Sequence, residues 1–245
     1  YSILVTEQID VEYSEDIVNY NIEYNLDGGS LSGQKESYTI EDETFTLPTP
    51  TKQGYEFLGW SGTGLEEITK TVTIEKGSTG NREYTANWQI LQFTYSFYNG
   101  DELLKTETVD FGSAIVPPDT IPTKASIDGV NYVFSGWNPE VPEHISDKNL
   151  TFYAKFTEQH FTRGLNFTYS AFDDAYIVDI GSAQDTTITV PATYNNKNVV
   201  AVKADGFANS ETLNSITFVG NITTIGKRAF AKCPNLNTIK GLDNI

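Results

Sequence analysis

Few side chains in this sequence have the types and spacing that chemistry requires. The two histidines, His144 and His160, are candidate metal ligands, but they lack the helical spacing of a zinc motif. The single cysteine, Cys233, is a candidate nucleophile. It lies in an apolar stretch close to Phe230 and Leu236, and free cysteine is among the most often buried residue types. We therefore predict a core position for Cys233, no bound metal and no cofactor.

Adjacent acidic residues occur at Glu66–Glu67 and at Asp173–Asp174. Two carboxylates that face each other across a cleft can hydrolyse glycosides, but neighbouring acids in a turn are usually solvated. The Gly77–Gly80 stretch lacks the lysine of a phosphate-binding loop and is predicted to be a hairpin turn. The sequence has no nucleophile elbow, dinucleotide fingerprint or aspartate-rich calcium loop. We predict that the chain is not an enzyme and assign no catalytic, cofactor-binding or metal-binding residue. Binding residues are unknown from the sequence.

The three tryptophans, Trp60, Trp88 and Trp137, are candidates for a platform on which sugars stack. They recur, however, at equivalent places in two similar segments. Tyr55–Trp60 reads YEFLGW, and Tyr132–Trp137 reads YVFSGW. Repetition at strand positions favours core packing, so we predict that these rings lie inside two related modules.

The composition limits the partners. The chain has 33 acidic and 16 basic residues and a net charge of −17, which argues against nucleic acids and anionic membrane surfaces as partners. No apolar run reaches the roughly 18 residues of a membrane-spanning helix, so no direct membrane insertion is expected. One cysteine cannot form an intrachain disulfide. Because methionine is absent, we expect a processed or trimmed piece of a longer protein.

The elements that carry these residues are predicted to be mostly strands. Each module begins with alternating strand residues, Tyr20–Leu26 and Phe93–Phe97, followed by the turn sequences Asp27–Gly29 and Asn99–Gly100. Asp-Gly and Asn-Gly accept the positive φ of tight turns, so both are predicted to form β-hairpins. Prolines then separate each hairpin from the Gly-Trp strand.

A third segment repeats with a period of 23 residues. Val202–Ile216 (VKADGFANSETLNSI) aligns without a gap on Ile225–Ile239 (IGKRAFAKCPNLNTI). The main apolar positions coincide at Phe207 and Phe230, Leu213 and Leu236, and Ile216 and Ile239. A fixed period with conserved apolar spacing is typical of a solenoid, in which each coil covers the apolar side of its neighbour.

These motifs resemble two known families. YNLDGGSL, GYEFLGW and YTANW resemble the Listeria/Bacteroides repeat, the family of the internalin B-repeat, over about residues 20–90; residues 91–157 resemble a diverged copy. ITTIGKRAFAKCPNLNTI resembles the BspA-type leucine-rich repeat, and residues 165–201 resemble the β cap and first coil that precede such arrays.

The resemblance implies a mainly β fold (β-rich α+β) in four parts. Residues 1–19 are a linker or a strand of a preceding domain, residues 20–90 and 91–157 are small β-grasp-like modules, and residues 158–245 are the cap and first coils of a short leucine-rich-repeat solenoid. Further coils are expected beyond Ile245.

The families imply a bacterial protein presented outside the cell, at the cell surface or cell wall. The expected role is a β-module stalk that presents a leucine-rich-repeat surface for adhesion to an extracellular protein or glycan. The alternatives are a carbohydrate-binding accessory module and the non-catalytic part of a larger extracellular hydrolase.

Overall fold

The computed structural model of the protein describes residues 17–242. The regular structure of these residues consists of 18 β-strands without a helix, which confirms the prediction of a mainly β fold. The linker predicted for residues 1–19 lies, up to residue 16, outside the described residues. The predicted domain boundaries at residues 20, 91 and 158 stay predictions.

Of the described residues, the first compact unit contains 17–93, together with 109–113 and 145–148. Its strands are β1 (Tyr20–Asn25), β2 (Ser37–Tyr38), β3 (Phe45–Thr46), β4 (Tyr55–Gly62), β5 (Thr73–Ile74) and β6 (Arg82–Ile90). A four-stranded sheet has the order β2-β1-β6-β4, and β3 pairs with β5. Strand β1 is parallel to β6, whereas β2 and β4 are antiparallel to their neighbours.

The first predicted hairpin is longer than its turn sequence indicates. Asp27 and Gly28 form a tight turn with positive φ angles, closed by a hydrogen bond from the Gly29 N–H to the Leu26 carbonyl at 2.9 Å. The strand that returns, β2, starts only at Ser37. The Gly77–Gly80 prediction is wrong, because β5 pairs with β3 and β6 pairs with β1 and β4, so this stretch connects two sheets.

The second compact unit contains residues 94–108, 114–144 and 149 onward. Most of one sheet belongs to it, formed by β7 (Gln92–Asn99), β8 (Glu102–Asp110), β9 (Val130–Asn138) and β10 (Leu150–His160). The order is β8-β7-β10-β9, with β7 parallel to β10 and β9 antiparallel to β10. The predicted Asn99–Gly100 hairpin turn is confirmed, because it joins the neighbouring strands β7 and β8.

A β-bulge orients the tryptophan of the first Gly-Trp segment. In the β4–β6 pair the register skips Leu58, so β4 has one residue more than its partner there. An extra residue reverses the alternation of side chains, so Phe57 and Trp60 point to the same face. Their rings meet edge to face with centroids 5.4 Å apart. Gly59 has a φ of +146°, and a Cβ atom there would lie 2.8 Å from the Thr69 backbone, so only glycine fits.

The second Gly-Trp segment has the same bulge. In the β9–β10 pair the register skips Ser135, and Gly136 has a φ of +121°. The rings of Phe134 and Trp137 again meet edge to face, with centroids 5.3 Å apart and an interplanar angle of 70°, the angle found between Phe57 and Trp60. The two segments are therefore related in local structure as well as in sequence.

The C-terminal part of the second unit combines two parallel ladders with two antiparallel strand pairs. Its strands are β11 (Asn166–Ser170), β12 (Ala175–Asp179), β13 (Thr187–Val190), β14 (Thr193–Tyr194), β15 (Lys197–Val202), β16 (Ser215–Phe218), β17 (Thr224–Ile225) and β18 (Thr238–Lys240). One sheet has the order β11-β12-β15-β14 with β17 beside β15, and another has the order β13-β16-β18. The ladders β12-β15-β17 and β13-β16-β18 are parallel throughout, whereas the pairs β11-β12 and β14-β15 are antiparallel. Val178, Ile188 and Ile216, all fully buried, contribute to the core of this part.

The buried Trp60 ring yields a test of the core of the first unit. Its side chain is fully buried, and its indole N–H has no hydrogen-bond acceptor among residues 17–242. Trp60→Ala is expected to lower the free energy of unfolding by about 3–5 kcal/mol. Trp60→Phe should cost less than half of that, because phenyl keeps most contacts and removes an unpaired N–H. Urea denaturation followed by circular dichroism measures both.

Trp88→Phe is the matched control for this comparison. The Trp88 indole donates a hydrogen bond to the Leu26 carbonyl at 3.0 Å, so the same substitution there removes a bond worth about 1 kcal/mol. Equal losses for Trp60→Phe and Trp60→Ala would contradict the assignment of an unpaired N–H.

Candidate binding surface

The outward side of the β13-β16-β18 ladder is a regular, partly exposed surface of the C-terminal part. Along each strand one set of side chains points into the core, and Ile188 and Ile216 are fully buried. The alternate set points outward because side chains in a strand alternate. We call this outward set the hydroxyl face: Thr187, Thr189, Ser215, Thr217 and Thr238.

Parallel register places the hydroxyl face in rows. Thr187, Ser215 and Thr238 are register partners across the three strands, and the Ser215 hydroxyl lies 3.2 Å from the Thr187 hydroxyl. In the next row Thr217 lies between Thr189 and Lys240. Lys240 is the one charged residue of the three strands. The rows thus offer neutral hydrogen-bond donors and acceptors at the spacing of neighbouring strands.

Hydrogen bonds at two asparagines join neighbouring strands of this ladder. The Asn214 N–H donates to the Thr186 carbonyl at 2.7 Å, and the Asn237 N–H donates to the Asn214 carbonyl at 3.0 Å. The Asn237 side-chain amide also donates to the Asn214 side-chain oxygen. The two N–H bonds are backbone bonds, so the asparagine side chains, which belong to exposed residues, add one further bond to each other between the strands.

The other side of the repeat consists of turns and stacked rings. The Phe207 and Phe230 rings stack with centroids 5.6 Å apart, and Phe207 is fully buried. Phe230 is only partly buried, which differs from the core position expected from the alignment. Cys233 is likewise half-buried, and its thiol donates to the Phe207 carbonyl at 3.1 Å. The last described coil has a neighbour on one side only, which explains this exposure.

Three ion pairs connect successive segments of the C-terminal part. In each, the acid precedes the base by about one repeat: Asp174 with Lys197 at 2.6 Å, Asp179 with Lys203 at 3.1 Å, and Asp205 with Arg228 at 2.8 Å. The Arg228 pair is bidentate, the geometry that gives the strongest exposed ion pairs.

These pairs change the protonation of their acids. The Arg228 guanidinium lowers the pKa of the Asp205 carboxyl through its two hydrogen bonds. The hydrogen bond from the Lys197 ammonium lowers the pKa of Asp174, and the same bond raises the pKa of Lys197. The acids therefore stay charged to lower pH in the folded protein than in the unfolded chain.

The structure does not assemble the histidines into a site. His144 is exposed, with Nδ1 3.9 Å from Glu143, its neighbour in sequence. His160 is the last residue of β10, and its Nε2 lies 3.8 Å from Glu158 on the same strand. Across residues 17–242, His, Cys, Asp and Glu side chains do not form a group of three that could hold a metal ion.

The paired acids lie in exposed turns. Glu66 and Glu67 face solvent between β4 and β5. Asp173 accepts a hydrogen bond from the Ser170 hydroxyl at 2.8 Å, and Asp174 accepts one from Tyr169, so this pair closes the turn between β11 and β12.

The tryptophan rings pack within their modules. Trp60 is fully buried, and Trp88 is partly buried against Phe57 with ring centroids 5.5 Å apart. Trp137 packs against Phe97 with centroids 4.7 Å apart. The three rings therefore do not form a common platform. The hydroxyl face was not predicted from the sequence, although the alternation in TITV, SITF and TIK contains it.

Comparison with known proteins identifies two segments. Residues 20–86 match the family model of the Listeria-Bacteroides repeat domain, and residues 182–245 match the model described as BspA type leucine rich repeat region (6 copies). The recognition made from the motifs is confirmed for both segments and for their order. Both families are typical of bacterial surface proteins. No solved structure matches the chain. Among residues 17–242, no helix has the length and apolarity to cross a membrane.

The stacked phenylalanines yield a matched pair of variants. Phe207→Ala is expected to lower the free energy of unfolding by about 3–5 kcal/mol because it empties a fully buried position. Phe230→Ala, the same change one repeat later, should cost clearly less because that ring is partly exposed. Urea denaturation of the two variants measures the difference. Equal losses would show that the last coil is covered in solution.

The Asp205 and Arg228 pair predicts a pH dependence. Because the folded-state pKa of Asp205 lies below its unfolded value, the stabilisation is present above the unfolded pKa and is lost as the pH falls through the folded pKa. Asp205→Asn should lower the melting temperature at about pH 6 and differ little from the unmodified chain at about pH 2. Asp119→Asn, at an exposed acid without an ion pair in the described part, is the control. A pH-independent effect of Asp205→Asn would argue against the charge mechanism.

Proposed function

Because residues 20–86 and 182–245 carry repeats of two families typical of bacterial surface proteins, we propose that the chain is a non-catalytic part of such a protein and binds a partner protein outside the cell. In this proposal the C-terminal repeats provide the binding surface, and the two modules before them serve as a stalk.

The observation that carries the proposal is the hydroxyl face. Its rows of threonine and serine lie on three hydrogen-bonded parallel strands, so little side-chain entropy is lost when a partner binds them. The face is neutral apart from Lys240, although the net charge of the chain is −17. A partner therefore meets hydrogen-bonding groups there without the repulsion of an acidic surface. Leucine-rich repeats generally bind proteins, which supports a protein partner.

Direct bonds support the stalk role of the second module. The Phe161 N–H donates to the Gly129 carbonyl at 3.0 Å, and the Gly164 N–H donates to the Asp128 carboxylate at 2.8 Å. These bonds join the segment before β9 to the start of the C-terminal part within one compact unit. A surface held in this way keeps a fixed orientation to the module that carries it.

The non-catalytic part of the proposal rests on the positions of the candidate groups. The two histidines are exposed on different segments, the acid pairs lie in exposed connections between strands, and Cys233 donates its thiol proton to a backbone carbonyl. General acid–base and nucleophilic catalysis require such groups within hydrogen-bond reach of one another.

A glycan partner is the second candidate, with a different surface. Tyr98 and Tyr153 are register partners on β7 and β10, and Tyr153 is half exposed. Their rings stack on each other with centroids 5.6 Å apart, so each ring covers one face of the other. This leaves less aromatic area for a sugar than a flat platform would, and the protein partner is favoured.

The test is binding of the whole chain to an array of extracellular-matrix proteins and glycans. We expect specific binding to at least one protein on the array. Thr217→Glu introduces a charge in the middle of the hydroxyl face beside Lys240 and should weaken this binding by about tenfold or more.

Thr85→Glu is the matched control, because Thr85, like Thr217, is a half-buried threonine on an inner strand, β6. Equal weakening by the two variants would place recognition outside the hydroxyl face. Binding to glycans alone would favour the second candidate. If the chain binds nothing on the array, the proposal is overturned and a structural spacer remains as its role.

A further inference from the structure

An apolar groove lies between the second module and the C-terminal part, inside the second compact unit. It has a volume of about 540 Å³, within the range of pockets that hold ligands. Its walls come from four segments: Ile121–Thr123, Val133 and Phe134 of β9, Gln159 of β10, and residues around Thr193. Ile121 is 69% exposed, which is unusual for a large aliphatic side chain at the rim of an apolar groove.

One wall of the groove is a sheet edge that pairs with another segment only at its start. Strand β9 is the last strand of its sheet, with β10 as its strand partner, and Val130 also forms a bridge with Ile127. Edge strands expose backbone N–H and C=O groups that can pair with another chain, and proteins usually protect them with charged side chains. Strand β8, at the opposite edge, carries Glu102, Lys105 and Glu107, whereas β9 (VNYVFSGWN) has no charged residue.

A polar network around the buried Asn131 joins the segments beside the groove. Asn131 is 1% exposed, its side-chain oxygen accepts from the Ser126 hydroxyl at 2.6 Å, and its amide donates to the Thr193 hydroxyl at 2.7 Å. The Ser126 N–H donates to the Asn195 side chain at 2.7 Å, and the Asn195 N–H donates to the Ser126 hydroxyl at 2.9 Å. These four bonds link the two walls, so the walls are fixed relative to each other before any ligand binds.

The groove fits a chain in extended conformation. We propose that it binds an extended, uncharged segment of a partner protein, which pairs as an additional strand with β9. Backbone groups of the segment would bond to the free edge of β9, and its alternate apolar side chains would contact Ile121, Val133 and Phe134. None of the residues that line the groove is charged, which disfavours a charged segment.

This site is separate from the hydroxyl face. The groove involves β9 and the loop before it, whereas the hydroxyl face lies on β13, β16 and β18. A negative result for one proposal therefore does not affect the other. Binding in the groove would attach a strand of the partner to the stalk, while the hydroxyl face remains free.

The test is selection of random dodecapeptides displayed on phage against the whole chain. We expect enrichment of sequences that alternate apolar and polar residues and have few charges. Enriched peptides, made synthetically, should bind with a Kd that rises at least about tenfold in Ile121→Asp, because this change introduces a charge at the groove. Val219→Asp is the matched control, since Val219 is 61% exposed and lies outside the groove.

Hydrogen exchange locates the bound peptide. Backbone amides of β9 should exchange more slowly in the complex, because they gain hydrogen bonds to the added strand. The proposal is overturned if no alternating sequence is enriched, if the two variants weaken binding equally, or if protection appears elsewhere than on β9. Self-association of the chain that Ile121→Asp abolishes in sedimentation experiments would assign the groove to a second copy and would equally overturn it.

Discussion

One extra residue in a strand determines how each β-module packs. In a regular strand, a phenylalanine and a tryptophan three positions apart point to opposite faces. The bulges at Leu58 and Ser135 reverse this alternation, so both rings of each Phe-x-Gly-Trp segment reach the core. At the first bulge, Gly59 adopts a backbone conformation closed to other residues and lies against Thr69. The fully buried Trp60 and its contacts with Phe57, Tyr24 and Tyr84 depend on this local irregularity.

The C-terminal part depends on regularity instead. Because the sequence repeats, backbone bonds recur along the stack: the Asn214 N–H donates to the Thr186 carbonyl, and the Asn237 N–H donates to the Asn214 carbonyl. The Asp205–Arg228 pair joins aligned positions of two successive copies. In such a stack the last strand is less buried than the inner strands. Ile216, between two strands, is fully buried, whereas its register partner Ile239 on the last strand is 40% exposed. Each exposed ion pair contributes little to the free energy of unfolding. Their main effect is to make one register of the strands more favourable than the alternatives.

The sequence predicted those features that depend on local pattern. Alternation and turn residues were sufficient for the β class and for the hairpin at Asn99–Gly100, and the 23-residue alignment predicted the pairing of Ile216 with Ile239. The bulges were not predicted, because YEFLGW and YVFSGW are compatible with regular strands. The parallel pairing of β1 with β6 was also missed, since it joins residues about 60 positions apart. The alternation of side chains shows which residues share the hydroxyl face. It does not show which of the two faces packs against the core, and the function of the hydroxyl face depends on this.

The groove beside β9 could not be predicted from the sequence, because it is formed by four segments, of which the Asn131 network joins three. Its chemistry nevertheless agrees with the distribution of charge. A net charge of −17 makes copies of the chain repel one another, which reduces the aggregation that a free sheet edge invites. With that protection spread over the molecule, β9 can remain uncharged. The neutral edge strand and the neutral hydroxyl face are therefore the surfaces of this acidic protein that suit partners other than further copies of the chain.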